Sequence, residues 1–233
     1  MKTFVILPTY NECENIEAMV RQVLAVCPTC EVLVVDDDSP DGTWQIVEKI
    51  AKENSRVRLL HRKTNRGRGS SGIAGYLYAL EHGADTVIEM DADFSHDPTY
   101  IPHFLEAISD YDIILGSRFV QGGRDADRGW IRRVITFLAN VYVRMLFGIK
   151  IHDCSSGYRC MRREVLESMG LRNMKATGPE ILQEMLFRSC QLGHRILEIP
   201  ISFQDRIHGK TKLRYRQLWK GFMMVLRLRF GRN

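Results

Sequence analysis

Residues 65–93 read NRGRGSSGIAGYLYALEHGADTVIEMDAD, and two ligand-binding patterns overlap within them. The first is Gly67-x-Gly69-x-x-Gly72, preceded by the apolar run RVRLL and followed by a helical pattern that begins near Ser71. Asp91 follows about twenty residues later, where the dinucleotide fingerprint of an NAD-dependent Rossmann enzyme places its acidic residue. The second is Asp91-Ala92-Asp93, two carboxylates just past the apolar strand TVIEM. Hard cations such as Mg2+ or Mn2+ take one or two carboxylates and complete their shell with substrate phosphates. The plain alternative for this second pattern is an acidic turn that caps the next helix.

Spacing and charge favour the second pattern. A dinucleotide pyrophosphate sits on helix N-terminal N–H groups without a metal, and its fingerprint follows the first strand of the fold directly. Here Arg62–Arg66 intervene between strand and glycine, and the first strand ends instead in PTYNE. A second acidic cluster, Asp36-Asp37-Asp38, lies at another strand end. Carboxylates gathered at one edge repel each other unless a cation or hydrogen-bond donors meet them. A nucleoside diphosphate carrying a metal suits such a place, and bare NAD does not.

Working outward, the first half alternates short strands with helices of about a dozen residues, the pattern of βαβ units. The strands are TFVIL, EVLVVD, RVRLL, DTVIEMD and YDIILGS, and ENIEAMVRQVLAV and DGTWQIVEKIAKEN are helical, the latter with Asp41 at its N-cap. Apolar runs such as Val32 to Val35 fit a mostly parallel sheet covered on both faces by helices. Polar clusters close four strands: PTYNE, DDDSPDG, DADFSHD and GSRFVQGG. Open parallel sheets bind ligands at that edge. The second half supplies a long amphipathic helix from Trp130, a loop DCSSGYRC leading to a strand and helix, and a helix from Pro179 to Gly193. A strand HRILEIPISF, a loop QDRIHGKTKL and a last helix follow.

The chain has 233 residues, 45% apolar and 26% charged, with a net charge of +5. That suits one ordinary α/β domain. From Asp205 onward nine Lys/Arg stand against one acid, so the basic excess belongs to the C-terminus. It points to an anionic partner there. Apolar and aromatic residues interleave with those charges too densely for a groove-reading helix, so nucleic acid is not expected. Such a helix suits the surface of an anionic membrane, with packing into a core or oligomer as the alternative. No leader or membrane-spanning run is expected. The six cysteines read as reduced thiols of a cytoplasmic protein, with no redox or metal role for Cys27-x-x-Cys30.

Taken together, LPTYNECENI, VVDDDSPDGT, DADFSHDP, GSRFVQGG, DCSSGYRCMRREVL and EIPISFQDRIHGKTKL resemble the family 2 glycosyltransferases from residue 4 to about 213. The resemblance is nearest to their dolichol-phosphate mannose synthase (polyprenol monophosphomannose synthase) subgroup. It implies a GT-A fold, a Rossmann-like nucleotide-diphospho-sugar transferase. The implied reaction is inverting transfer of mannose from GDP-mannose to a polyprenyl phosphate, with Mg2+ or Mn2+. Carried over by position, Pro8, Tyr10, Glu12, Val35 and Asp37 match donor-nucleotide contacts. Asp91, Ala92 and Asp93 match the metal and diphosphate motif, with Asp91 and Asp93 as ligands. Arg118 matches a donor-binding position, and Arg206 and Lys212 a basic loop over the phosphates. Asp93, Arg118, Arg206 and Lys212 would carry catalysis. The resemblance places an arginine near the start of the long helix, with Arg128, Arg132 and Arg133 available and Arg133 preferred. Arg133 and Ser156 would meet the acceptor phosphate.

The expected organisation is a catalytic domain over 1–212, with a nucleotide half to about 120 and an acceptor half after it, and a peripheral membrane helix over 213–233. The chain departs from the family in several places: GRGSSGIA stands where relatives carry a GLGTA-type loop, which makes Arg68 polar in an apolar place, Ser95 stands where some relatives place Gln, and MKATGPEILQE is less aromatic than the run usual around Glu184. Another sugar nucleotide such as UDP-glucose, or another acceptor, is the alternative within the fold. A lipid phosphate is already an anionic nucleophile. A sugar hydroxyl would need a base, for which Asp153 or Glu184 would stand. The alternatives for these two are a loop-stabilising carboxylate and a solvated helix position.

Overall fold

The computed structural model describes residues 1–125, 129–204 and 215–231, with backbone alone for 215–218. Nine strands and eight α-helices run through the described residues: β1 Thr3–Thr9, α1 Ile16–Val26, β2 Glu31–Asp36, α2 Thr43–Glu53, β3 Val57–His61, α3 Arg68–Glu81, β4 Thr86–Glu89, α4 Ile101–Ala107 and β5 Ile113–Ser117. After these come β6 Arg124–Asp125, α5 Trp130–Phe147, β7 Arg159–Arg162, α6 Arg163–Ser168, α7 Ile181–Gln191, β8 Ile196–Pro200, β9 Ser202–Phe203 and α8 Tyr215–Phe230.

The main sheet has seven strands in the order β3-β2-β1-β4-β7-β5-β8. Its pairs are parallel except those made by β7, which runs antiparallel between β4 and β5. The mostly parallel sheet expected from the alternation is present. The central strands are apolar because both faces are covered: Phe4, Ile6, Leu33 and Val35 enter one core, and Val5, Leu7, Val32 and Val34 the other. This is period-two alternation between two buried faces. Helix α3 lies tight on β1 and β2 because Gly75 faces them; a Cβ there would sit 2.7 Å from Ile6 Cγ2 and 3.1 Å from Val35 Cγ2.

Four local expectations are corrected. The N-cap of α2 is Gly42, at φ 92, and Asp41 sits one residue earlier, taking the Thr43 N–H at 3.0 Å. Helix α3 starts at Arg68 rather than near Ser71. The run HRILEIPISF divides: β8 stays in the main sheet, and β9 pairs with β6 in a small parallel ribbon. Cys27 and Cys30, with Cα atoms 5.4 Å apart across the turn between α1 and β2, form a disulfide, so the thiols are not all free. Cys13, Cys154, Cys160 and Cys190 are free thiols.

Among the described residues, no helix is long and apolar enough to cross a membrane. Helix α8 packs one side inward: Val225 is buried and Tyr142 of α5 stacks on Phe222 at 4.6 Å. Apolar side chains also line the outer face of α5. Trp130, Ile131, Phe137 and Leu138 are each more than half exposed.

Candidate nucleotide-sugar site

Strands β1, β2, β4 and β5 point the same way, so their polar C-terminal extensions share one edge. The chain moves outward from β1 to β2 and β3, then crosses back to place β4 on the other side of β1. Such a reversal opens a crevice between neighbouring loops, and ligands of open α/β sheets bind there.

On the β1–β2 side two loops are sewn together. The Asn11 N–H donates to Ser39 Oγ at 3.0 Å, the Glu12 N–H to Thr43 Oγ1 at 2.9 Å and the Cys13 N–H to Asp41 at 3.0 Å. Glu12 also accepts from Asn15 Nδ2 at 2.9 Å. Pro8 is half-buried, Tyr10 is exposed and Val35 is buried beside them.

The three successive aspartates at the end of β2 do not pool their charge. Asp36 accepts from Thr9 Oγ1, Ser39 N and Ser39 Oγ at 2.6–3.0 Å. Asp37 holds Arg62 Nη1 at 2.6 Å and the Gly67 N–H at 2.7 Å. Asp38, at φ 58, meets His61 Nε2 at 2.8 Å and Arg66 Nη2 at 2.5 Å. Internal donors therefore answer the repulsion that the sequence raises, and this cluster needs no metal. Burial outweighs those donors at Asp37 and pushes its carboxyl above the usual range.

Asp91 and Asp93 occupy the turn after β4, with buried Ala92 between them and Phe94 left-handed at φ 63. Asp93 is buried and accepts from Ser95 N at 3.1 Å and Ser95 Oγ at 2.6 Å. Asp91 is one-third exposed; its N–H donates to His96 Nδ1 at 2.9 Å and its Oδ1 accepts from Arg68 Nη2 at 3.2 Å. His96 is buried, stacked on Tyr158 at 5.0 Å. Burial pushes its pKa down, against the pull of Asp91 and Asp93, so the ring is neutral at pH 7 with Nδ1 as acceptor. His96 is a site residue that the sequence reading passed over, although it stands three positions beyond Asp93 inside the quoted DADFSHD. Among the described residues no group of three or more His, Cys, Asp or Glu forms a metal cage. Two hard oxygen donors on one turn fit Mg2+ or Mn2+, which draw the rest of their shell from substrate phosphate and water.

The glycine pattern serves packing. The Gly69 and Ser70 N–H groups at the start of α3 both donate to the Thr177 carbonyl, at 3.0 and 3.3 Å. A Cβ on Gly67 would lie 2.7 Å from Thr177 O, and one on Gly69 2.7 Å from Gly178 O. The donors and close approach that a dinucleotide would use are committed to a loop a hundred residues away.

Beyond β5, Arg118 and Asp153 form a bidentate pair at 2.7 and 2.8 Å, with Ser155 Oγ accepting from the same guanidinium at 2.7 Å. The guanidinium lies 5.1 Å from the Phe203 ring centroid. Burial would raise the Asp153 pKa, but Arg118 outweighs it and holds the carboxyl below the usual range. Asp153 is thus the loop-stabilising carboxylate. Ser156 is buried; its Oγ accepts from Tyr158 N at 3.3 Å and its carbonyl from Arg159 Nε at 2.8 Å. Arg133 is exposed on the first turn of α5. Glu184 is fully buried, against the solvated position considered for it, and accepts from the Lys175 and Ala176 N–H groups at 2.8–3.1 Å and from Arg188 at 2.7 Å. Arg128, Arg206 and Lys212 lie outside the described residues.

The sequence pattern described as Glycosyl transferase family 2 matches residues 4–170, which contain every strand-end cluster above. The chain belongs to glycosyl transferase family 2. This glycosyltransferase is 38% identical over 213 residues to the undecaprenyl-phosphate mannosyltransferase of Micrococcus luteus, covering 91% of this chain and 88% of that one. It is 39% identical over 214 residues to the polyprenol monophosphomannose synthase of Mycolicibacterium smegmatis, covering 91% and 81%. The mannosyltransferase PcManGT of Pyrobaculum calidifontis, solved in complex with GDP-Man and Mn2+, matches the fold of the glycosyltransferase with a TM-score of 0.61 at 20% identity, over 99% of this chain and 63% of that one. The fold is GT-A, as the resemblance implied.

Proposed function

We propose that this glycosyltransferase moves mannose from GDP-mannose to a polyprenyl (dolichyl-type) phosphate, with inversion and with Mg2+ or Mn2+ on Asp91 and Asp93. The observation that carries the reading is the placement of that carboxylate turn at the β1–β4 crevice, on the same sheet edge as the loops of Tyr10, Glu12 and Asp37. The names borne by the two bacterial relatives support the mannose and the lipid-phosphate acceptor. Pro8, Tyr10, Glu12, Val35 and Asp37 hold the nucleoside, and Ala92 lines the diphosphate. A bound divalent ion offsets charge on the departing diphosphate. Arg118, Arg206 and Lys212 add positive charge there. Arg133 and Ser156 meet the acceptor phosphate.

The state of the carboxylates favours an acceptor that brings its own nucleophile. Asp153 is buried and locked to Arg118, and Glu184 is buried on two backbone N–H groups. Neither is placed to take a proton from a sugar hydroxyl, whereas a phosphate oxygen attacks without a base. The exposed apolar face of α5, with the basic C-terminal helix, gives a surface for resting on a membrane, the peripheral placement expected of 213–233.

The test is calorimetric titration of GDP-mannose, UDP-glucose and NADH, with and without Mn2+, on wild type and on Asp91→Ala and Asp93→Ala. Mn2+-dependent GDP-mannose binding, lost in both variants, is expected, with mannosyl transfer to a polyprenyl phosphate in a parallel assay. Preference for UDP-glucose would change the donor. Metal-independent binding of NADH would overturn the reading.

A further inference from the structure

Strand β4 is buried along its whole length yet ends in a charge. Glu89 is 1% exposed. The Tyr76 hydroxyl donates to its Oε2, and Arg68 Nη1 donates to its Oε1. Arg68 is the first residue of α3, so its side chain leaves the helix start and passes under the turn after β4. Its second nitrogen, Nη2, reaches Asp91 Oδ1 at 3.2 Å. One guanidinium thus ties a buried carboxylate in the sheet to a carboxylate that faces the crevice.

Space for this bridge is made by two glycines from different elements. A Cβ on Gly72 would lie 3.0 Å from Glu89 Oε1 and 3.5 Å from Arg68 Nη1. One on Gly157 would lie 3.4 Å from Arg68 Nη2. The slot fixes the guanidinium plane. Arg159, the register partner of Glu89 across β4 and β7, is a second buried cation, so Glu89, Asp91, Arg68 and Arg159 balance in charge.

A buried ion pair gives little stability relative to an apolar pair of the same volume, because desolvation cancels most of the attraction. What the Arg68–Glu89 pair does provide is direction: a charge-assisted contact on one chosen oxygen of Asp91. Partners of metal-binding carboxylates set ligand orientation, and changing them costs about 10–100-fold in metal affinity.

We propose that Arg68, anchored by Glu89, is a positioning residue of the donor site: it fixes the orientation in which Asp91 meets a divalent cation and thereby sets the metal affinity of this enzyme. The inference rests on the reading of Asp91 and Asp93 as the metal-holding pair.

Free Mn2+ is measured by electron paramagnetic resonance during titration of the protein with Mn2+ in the presence of GDP, with no turnover. Wild type is compared with Glu89→Gln, Arg68→Lys and the double variant Arg68→Met/Glu89→Met, and thermal unfolding is recorded for each. The double variant keeps the volume and the charge balance but loses the bridge and the acceptor of the Tyr76 hydroxyl; its Mn2+ dissociation constant rises about tenfold, and its melting temperature falls by roughly 2–10 °C for the orphaned hydroxyl. Glu89→Gln leaves one cation unbalanced beside Asp91 and raises the constant further. Arg68→Lys keeps the charge without the two-pronged geometry and falls between wild type and the double variant. Where one variant fails to fold, the others carry the comparison. Wild-type Mn2+ affinity in the folded variants overturns the positioning role while leaving the metal site standing. A wild type that takes up no Mn2+ with GDP overturns the metal reading, and this inference with it.

Discussion

Replacing Gly69 with Ala tests what the glycine pattern is for. The new Cβ would lie 2.7 Å from Gly178 O, 2.8 Å from Thr177 C and 3.0 Å from Thr177 O, all backbone atoms that no rotamer change can move aside. The start of α3 and the 177–178 loop must separate, which as overpacking costs about 1–3 kcal/mol. Separation also stretches the two N–H bonds to Thr177, now 3.0 and 3.3 Å, at a net cost of roughly 1 kcal/mol. The better helix propensity of Ala returns at most about 1 kcal/mol. The expected net loss is therefore about 1–3 kcal/mol, or roughly 3–10 °C in melting temperature for a chain of this size. Differential scanning calorimetry reads it directly. Gly221→Ala is the control: it lies inside α8 with nothing within 4 Å of its Cβ position, and should leave stability equal or slightly higher. If Gly69→Ala melts with wild type while nucleotide binding is lost, the glycines serve a ligand and the packing argument fails.

Asp153→Asn removes one charge of a buried pair and should cost about 3 kcal/mol. Because the folded pKa of Asp153 is lowered, its contribution is present above its unfolded pKa of about 3.9 and is lost as pH falls through the folded value. Urea unfolding should show the wild-type advantage over the variant at neutral pH and shrinking below about pH 4. Glu184→Gln should destabilise by about 1–3 kcal/mol through its weakened hold on the 175–176 backbone, with an unchanged pH profile of kcat. A profile that loses its acid limb, where a catalytic base is protonated, would make Glu184 a general base after all. Trp130→Ser with Phe137→Ser should weaken flotation with vesicles of anionic phospholipid several-fold and leave the melting temperature within about 2 °C, since both side chains are exposed. Unchanged flotation would remove α5 from the membrane surface.

The alternation of apolar strands and amphipathic helices made the parallel sheet legible, because a strand covered on both faces must be apolar throughout. The strand-end clusters were legible for the same reason: polar residues just beyond such a strand have one edge to occupy. What stayed hidden depends on distant partners. Arg68-Gly69-Ser70 has poor helical character, and α3 begins there because a carbonyl at position 177 accepts its first N–H groups. The four residues of β7 say nothing of the two strands they separate. The neutral state of His96 comes from burial under Tyr158, and the closed roles of Asp153 and Glu184 from Arg118 and two loop amides. The division of Asp36, Asp37 and Asp38 among separate partners needed Arg62, Arg66, His61 and Ser39 to be in place.

The position of β7 bears on how the chain is made. Strand β5 pairs only with β7 and β8 among the described strands, and both are synthesised more than forty residues after it. A nascent chain that has emerged as far as residue 120 can join β1 to β4 and close the β1–β2 side of the crevice, while β5 waits without a neighbour in the sheet. Such non-local pairing slows folding and leaves strand edges open to wrong partners. A truncation at 120 would thus leave β5 unpaired and α3 without its carbonyl at 177, and should yield an aggregating fragment rather than a free-standing nucleotide-binding unit.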